Sequence, residues 1–392
     1  MTHSIMPVYG TRPEAIKMAP LVLALRESPV LDCTIAVTGQ HREMLDQVNR
    51  VFGIEPDVDL DIFEHGMGLS TVIEKTLARL TPVLEERRPD AVVVQGDTTS
   101  ALAAGLAAFN LHIPVVHLEA GLRTASIASP FPEEGNRRLL SQITSLHLAP
   151  TAQAHANLLA SGVQPADIVV TGNTVIDALL AAASQDLTYL DPALRERGEL
   201  TGEVILVTSH RRESWGDPMR RTASALAQLA QERPHVTFVF PLHANPRVRE
   251  IFEPVLRPLP NVVLTESLAY PDLVLLLKVA KLVVTDSGGI QEEAPALGKP
   301  VVVLRDDTER PEAIDAGTAL LVGTDPVRIV TEVNRLLDDA AAYETMARAQ
   351  NPFGDGFAAQ RSVAAIAEFF GDGERLPDFD VQQHHILDGA QS

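Results

Sequence analysis

Short runs of β-branched and aliphatic residues recur along this chain, each closed by a glycine or polar turn and followed by a helical pattern. The runs fall at residues 5–9, 34–38, 91–95, 114–118, 146–149 and 168–171, and the rhythm restarts after Asn173 at 204–208, 236–241, 262–265, 282–285 and 301–304. Near-continuous apolar strands alternating with helices belong to parallel sheets covered on both faces. Two such sets predict an α/β protein of two doubly wound domains. In that architecture ligands bind beyond the carboxyl ends of the strands, so the residues just after each run carry the functional information.

A length of 392 residues accommodates two domains, and an apolar fraction of 45% provides ample core material. The formal charge of −20 argues against a nucleic-acid partner, which needs clustered Lys and Arg. The lone cysteine, Cys33, excludes an internal disulfide, opens an apolar run and reads as a small core residue. No basic and apolar leader opens the sequence, and no apolar run approaches about 18 residues. A soluble, cytoplasmic protein without a membrane partner is expected. Residues 171–174 are the expected crossing between the halves, and 190–202 form a second loose stretch. Beyond Gly371 the sequence is polar and turn-rich and is expected to be loosely attached. Two adjacent histidines there, His384 and His385, have no partner spacing for a metal. With no zinc-like Cys/His spacing and no Gly-x-Ser-x-Gly elbow elsewhere, no metal is expected and serine-nucleophile chemistry is poorly supported.

The glycine turn at 285–289, Thr-Asp-Ser-Gly-Gly, joins an apolar run to a helical pattern. Gly288 and Gly289 let backbone N–H groups approach a ligand, and the helix N-terminus favours an anion such as a diphosphate. One turn further on, Glu293 would repel phosphate but could accept hydrogen bonds from a ribose diol. Taken alone, the same residues could be a structural corner with Ser287 as N-cap.

The other strand ends are equally uneven in charge. Gly10-Thr11-Arg12-Pro13 puts Arg12 and Lys17 near a helix N-terminus, where cations are disfavoured unless an anion binds. Asp97 follows the third run, Glu119 the fourth, and Glu133 and Glu134 open a helix further on. Clustered carboxylates raise one another's pKa, which is how a site obtains both an acid and a base near neutral pH. In the second half, His210-Arg211 ends one run, His243 another, and Arg310 stands near a helix start.

These segments together resemble the non-hydrolysing UDP-N-acetylglucosamine 2-epimerases. The likeness rests on residues 10–20, 39–45, 96–99, 119–123, 132–134, 171–177, 210–214 and 285–300, and runs in order from about residue 5 to 370. It implies two Rossmann-like domains of the glycosyltransferase-B type with the active site in the cleft between them. An N-terminal domain, 1–172, would be rejoined by a C-terminal helix at about 358–371; 173–357 would bind UDP, and 372–392 would form a polar tail. It also implies reversible conversion of UDP-N-acetylglucosamine to UDP-N-acetylmannosamine without cofactor, by elimination and re-addition of UDP through a 2-acetamidoglucal. By the same resemblance Asp97, Glu119, Glu133, Lys17 and His210 are the catalytic residues, and Arg12, Arg137, Ser287, Gly288, Gly289, Glu293 and Arg310 bind substrate. Gln40, His41, Glu134, Arg211 and His243 resemble a second, allosteric UDP-sugar site found in some members. Residues 64–68 hold no arginine where some members use one, and 273–277 are aliphatic where some place an aromatic on the uracil. A homodimer is common in the resembling family, and the product would enter cell-surface polysaccharide or another mannosamine-using route. A hydrolysing epimerase and a UDP-sugar-dependent glycosyltransferase are the competing activities.

Overall fold

The computed structural model describes residues 2–39, 42–64, 66–198, 200 and 202–381. The chain forms two compact units, one made of the residues up to Ala178 together with those from Phe353 on, the other of Leu179–Pro352.

The first unit is built on a parallel sheet of β1 (His3–Tyr9), β2 (Leu31–Cys33), β3 (Ala36–Val37), β4 (Val58–Asp59), β5 (Ala91–Gln95), β6 (Val115–Leu118), β7 (Leu146–Ala149) and β8 (Ile168–Val170). Its order is β4-β3-β1-β5-β6-β7-β8, with β2 also paired to β1. Every residue of β5 is buried, as a central strand covered on both faces requires. Met6, Val8, Val92 and Val94 point into one core, where they meet Ala101, Ala104 and Ala108 of the helix Thr99–Asn110. Those alanines bring the helix close to the sheet.

The second unit has β9 (Val204–Thr208), β10 (Thr237–Pro241), β11 (Val262–Thr265), β12 (Leu282–Thr285), β13 (Val301–Val303) and β14 (Ala319–Leu321), again all parallel. Their order, β11-β10-β9-β12-β13-β14, reverses direction between β9 and β12. The corresponding reversal in the first sheet lies between β1 and β5. Such switch points open a crevice at the carboxyl ends of the two strands concerned, because the following helices leave on opposite faces.

Three local features depart from the expected pattern. The run 34–38 is not one strand, because the Ile35 N–H donates to the Asp57 carboxylate at 2.7 Å instead of to a ladder. The edge strands β4 and β14 are too short to show a period in the sequence. The stretch after Gly371 is exposed through residue 378 but is fastened at Phe379. Phe379 is buried, donates its N–H to the Val170 carbonyl at 2.7 Å, and lies under the Arg361 guanidinium. A single aromatic in a polar stretch thus covers part of the exposed edge of β8. Among the described residues no helix is long and apolar enough to cross a membrane.

Candidate active site

In the first unit the turn after β1 is shaped by Glu14, a wholly buried carboxylate in the first turn of the helix Arg12–Glu27. Its Oε2 accepts the N–H groups of Gly10 at 3.0 Å and Thr11 at 2.7 Å, and its Oε1 accepts the Thr98 hydroxyl. One side chain therefore fastens the turn that carries Arg12 to the turn that carries Asp97. Burial pushes the Glu14 pKa up, although all these donors oppose the shift.

Glu119 follows β6 directly and takes φ of 62°, a left-handed conformation that costs a residue with a Cβ on the order of 1 kcal/mol. That twist turns its carboxylate back over the sheet end. Lys17 forms an ion pair with Oε1, Asn173 donates to the same oxygen at 3.0 Å, and the Gln95 amide donates to Oε2. Gly96, itself at φ 68°, makes room: a Cβ there would stand 3.3 Å from Oε2. The turn at Gly96 is held by His117, whose Nε2 donates to the Gly96 carbonyl at 2.6 Å. Burial lowers the His117 pKa to about 4, so the ring is neutral with its proton on Nε2.

Asp97 receives Nε and Nη2 of Arg137 on a single oxygen, and Asn136 bonds its backbone carbonyl at 2.8 Å. Arg137 continues to Glu134 at 3.3 Å, and Arg138 reaches the other Glu134 oxygen at 2.7 Å. Burial disfavours the Glu134 charge, but Arg138, the Thr124 N–H and Arg137 outweigh it and hold the pKa down. Glu134 is wholly enclosed, with both oxygens engaged. Glu133, at the start of the same helix, is half-buried and has no bonding partner among the described residues. The carboxyl-end turns of this unit thus pair Lys17 with Glu119 and Arg137 with Asp97; Glu133 opens the helix that carries Arg137, and Arg12 opens the helix that carries Lys17.

In the second unit Asp286, fully buried at the end of β12, ties that strand to the turn after β9. Its Oδ2 accepts the N–H groups of His210 at 2.7 Å and Arg211 at 2.9 Å, and the Ser209 hydroxyl at 3.2 Å. Its Oδ1 lies 3.2 Å from His210 Nδ1. Burial works against the Asp286 charge, but His210 and the backbone donors prevail and keep its pKa below the ordinary carboxylate range. With Nδ1 turned toward Asp286, the His210 ring directs Nε2 away from that carboxylate. The His243 ring stacks on His210, centroids 5.7 Å apart and 11° from parallel. Its pKa is lowered by burial and by His210, and its Nδ1 accepts the Asn245 N–H at 3.1 Å.

The glycine turn begins the helix Gly288–Ala296, and Ser287 makes no side-chain capping bond, which leaves its hydroxyl for other work. A Cβ on Gly288 would stand 3.5 Å from Arg211 Nη2 and 3.9 Å from Arg310 Nη2. Two guanidinium groups therefore converge on the helix N-terminus, the arrangement that suits a diphosphate. Glu293 is buried one turn in, its Oε2 3.6 Å from where a Gly289 Cβ would stand.

Gln40 and His41 lie outside the described residues. Sequence reasoning passed over Glu14, Gln95, Asn136, Asn173 and Glu292. Gln95 and Asn173 had one available signal, a polar side chain ending an apolar run at the sheet's carboxyl edge.

The two-unit doubly wound fold is of the glycosyltransferase-B type; the glycosyltransferase of kitacinnamycin matches at TM-score 0.63 over 94% of this chain and 99% of its own, with 15% identity, a likeness of fold alone. A family model described as UDP-N-acetylglucosamine 2-epimerase matches residues 23–367, and the chain belongs to that family. It is 50% identical to the UDP-N-acetylglucosamine 2-epimerase of Yersinia pestis over 369 residues, 92% of this chain and 98% of the relative. The crystal structure of the Neisseria meningitidis UDP-GlcNAc 2-epimerase bound to UDP-GlcNAc superposes with TM-score 0.82 at 43% identity, covering 94% of this chain and 99% of that one.

Proposed function

We propose that this protein interconverts UDP-N-acetylglucosamine and UDP-N-acetylmannosamine without net hydrolysis. The observation that carries the reading is the pair of carboxylates, Glu119 held by Lys17 and Asp97 held by Arg137, at the carboxyl ends of adjacent strands, with Glu133 opening the helix of Arg137. A UDP-sugar transferase needs little general-base work on its donor, whereas inversion at C2 needs proton transfer on both faces of the sugar.

In this mechanism a carboxylate removes the C2 proton while the C1–O bond to UDP breaks, leaving a C1=C2 double bond in a 2-acetamidoglucal. UDP then re-adds through its phosphate oxygen at C1, and C2 takes a proton from the opposite face. Asp97, Glu119 and Glu133 supply the proton-transfer groups, and Lys17 provides positive charge beside Glu119. His210, Ser287, Gly288, Gly289 and Arg310 steady the departing diphosphate, which is electrostatic work by fixed donors. Arg12 and Arg137 assist in binding, and Glu293 accepts from the ribose hydroxyls.

Incubation with UDP-N-acetylglucosamine in deuterium oxide tests this directly, read by NMR and mass spectrometry. Deuterium should appear at C2 of both UDP-linked epimers. Folded protein that exchanges nothing would refute the epimerase reading, and accumulation of free sugar with UDP would transfer the assignment to a hydrolysing epimerase.

A further inference from the structure

Glu292 precedes the ribose-facing Glu293, and adjacent helical residues point about 100° apart. Glu293 turns toward Gly289, while Glu292 turns away, wholly buried, and pairs with Nε of Arg310. Arg310 is itself buried. Its Nη1 donates to the Glu309 carbonyl at 3.2 Å, and its Nη2 lies toward Gly288. The backbone beneath it is fastened to the same helix. The Arg310 N–H donates to the Thr308 hydroxyl at 3.1 Å, that hydroxyl donates to Gln291 Oε1 at 2.7 Å, and Gln291 Nε2 donates to the Ser287 carbonyl at 3.1 Å. Asn351 in turn holds the Glu292 carbonyl at 3.0 Å.

We infer that Glu292 is a positioning residue that aims the Arg310 guanidinium at the diphosphate of the bound nucleotide. A buried guanidinium has few rotamers open to it, and the carboxylate on Nε selects the one that turns the Nη edge to the glycine turn. Glu292, together with the Glu309 carboxylate 4.0 Å from Nη1, also compensates the Arg310 charge when no ligand is bound. The inference rests on the assignment of Arg310 to UDP in the proposed function.

The test is calorimetric titration of the full-length protein and its variants with UDP and with uridine, which lacks the diphosphate. Glu292→Gln should weaken UDP binding about tenfold, the scale of one misaimed charged hydrogen bond. Uridine binding should change less than about twofold, because the ribose and base contacts are elsewhere. Arg310→Ala should weaken UDP at least as much, and the double variant should bind like Arg310→Ala alone, since the two residues act as one unit. Equal losses for UDP and uridine, unaltered UDP binding in Glu292→Gln, or additive losses in the double variant would overturn the inference. If Arg310→Ala binds UDP as the parent does, the diphosphate assignment fails and the inference with it. If Glu292→Gln does not fold, Arg310→Lys keeps the charge but lacks the fork, and it should show the same UDP-specific loss; unchanged UDP binding there would refute the role of the fork.

Discussion

Arg137 places both Nε and Nη2 on one oxygen of Asp97, Oδ2, at 2.8 and 2.7 Å. The second oxygen, Oδ1, has no partner among the described residues. A carboxylate held by one edge and open at the other is oriented yet still able to take a proton. Glu119 is different: both its oxygens accept donors, from Lys17 and Asn173 on one side and Gln95 on the other.

That contrast predicts two ways to lose activity. Asp97→Asn and Glu119→Gln should each reduce C2 deuterium exchange by about a thousandfold, within the range of general acid–base effects. UDP should bind both variants nearly as it binds the parent, because the residues proposed for the diphosphate, His210, Ser287, Gly288, Gly289 and Arg310, belong to the second unit. Loss of UDP binding together with exchange would show that neither acid has a catalytic role.

Two glycines separate binding from stability. At Gly288 a Cβ meets Arg211 and Arg310 only at ordinary contact distances, so Gly288→Ala should fold normally. It should nonetheless weaken UDP about tenfold or more by holding the diphosphate off the backbone. Gly121 has φ of 95°, and a Cβ there would stand 2.3 Å from the Ala154 carbonyl oxygen. Gly121→Ala should cost roughly 3 kcal/mol or more of stability. Thermal melts and calorimetry distinguish the two effects.

Asp177 makes stability depend on pH in the acidic range. Burial raises its pKa from 3.8 to about 6, against the N–H groups of Ala359 and Ala358 that favour its charge. The folded protein therefore binds this proton more tightly than the unfolded chain does. The stabilisation is complete below pH 3.8 and is lost as pH rises to about 6, amounting to up to about 3 kcal/mol. Asp177→Asn keeps an acceptor for Ala359 and removes the titration. The parent-minus-variant difference in unfolding free energy should fall between pH 4 and 6 and be flat above; a difference flat throughout would contradict the burial argument.

His117 and His147 act in the opposite direction. They are paired in register on β6 and β7 and are both buried, with pKa values lowered mainly by burial to about 4 and about 3. Here the unfolded chain takes the protons first, so stability falls as pH drops below 6.5. His147→Gln should lessen that slope near pH 5 by roughly 1.4 kcal/mol per pH unit, measured by urea unfolding across pH 4.5–7.

Much of this was legible in the sequence because it is local. A strand buried on both faces must be a continuous apolar run, and a glycine turn into a helix must look like 285–289. Charged residues just after apolar runs, Asp97, Glu119 and His210, and Arg310 before a helix start, were visible as residue types because those positions are set locally. Partnerships were not legible. Glu14 fastens two turns through contacts spanning 84 residues, and Asn173 reaches Glu119 across 54. Nothing in the spacing of Glu292 and Glu293 tells which one pairs with an arginine. Phe379 is an ordinary aromatic until the edge of β8 is there to receive it.

The amino-acid sequence by itself therefore determined the α/β class, the repeated strand–helix rhythm and the residue types available at each strand end. These follow from short-range periodicity and turn chemistry, which the chain carries at every length scale of a few residues. Only the tertiary structure decided which carboxylate is clamped, which keeps an open oxygen and which is spent on an arginine. Parallel pairing sets strand ends side by side in an order unlike their order in the chain, and hydrogen bonding then assigns each charge its partner.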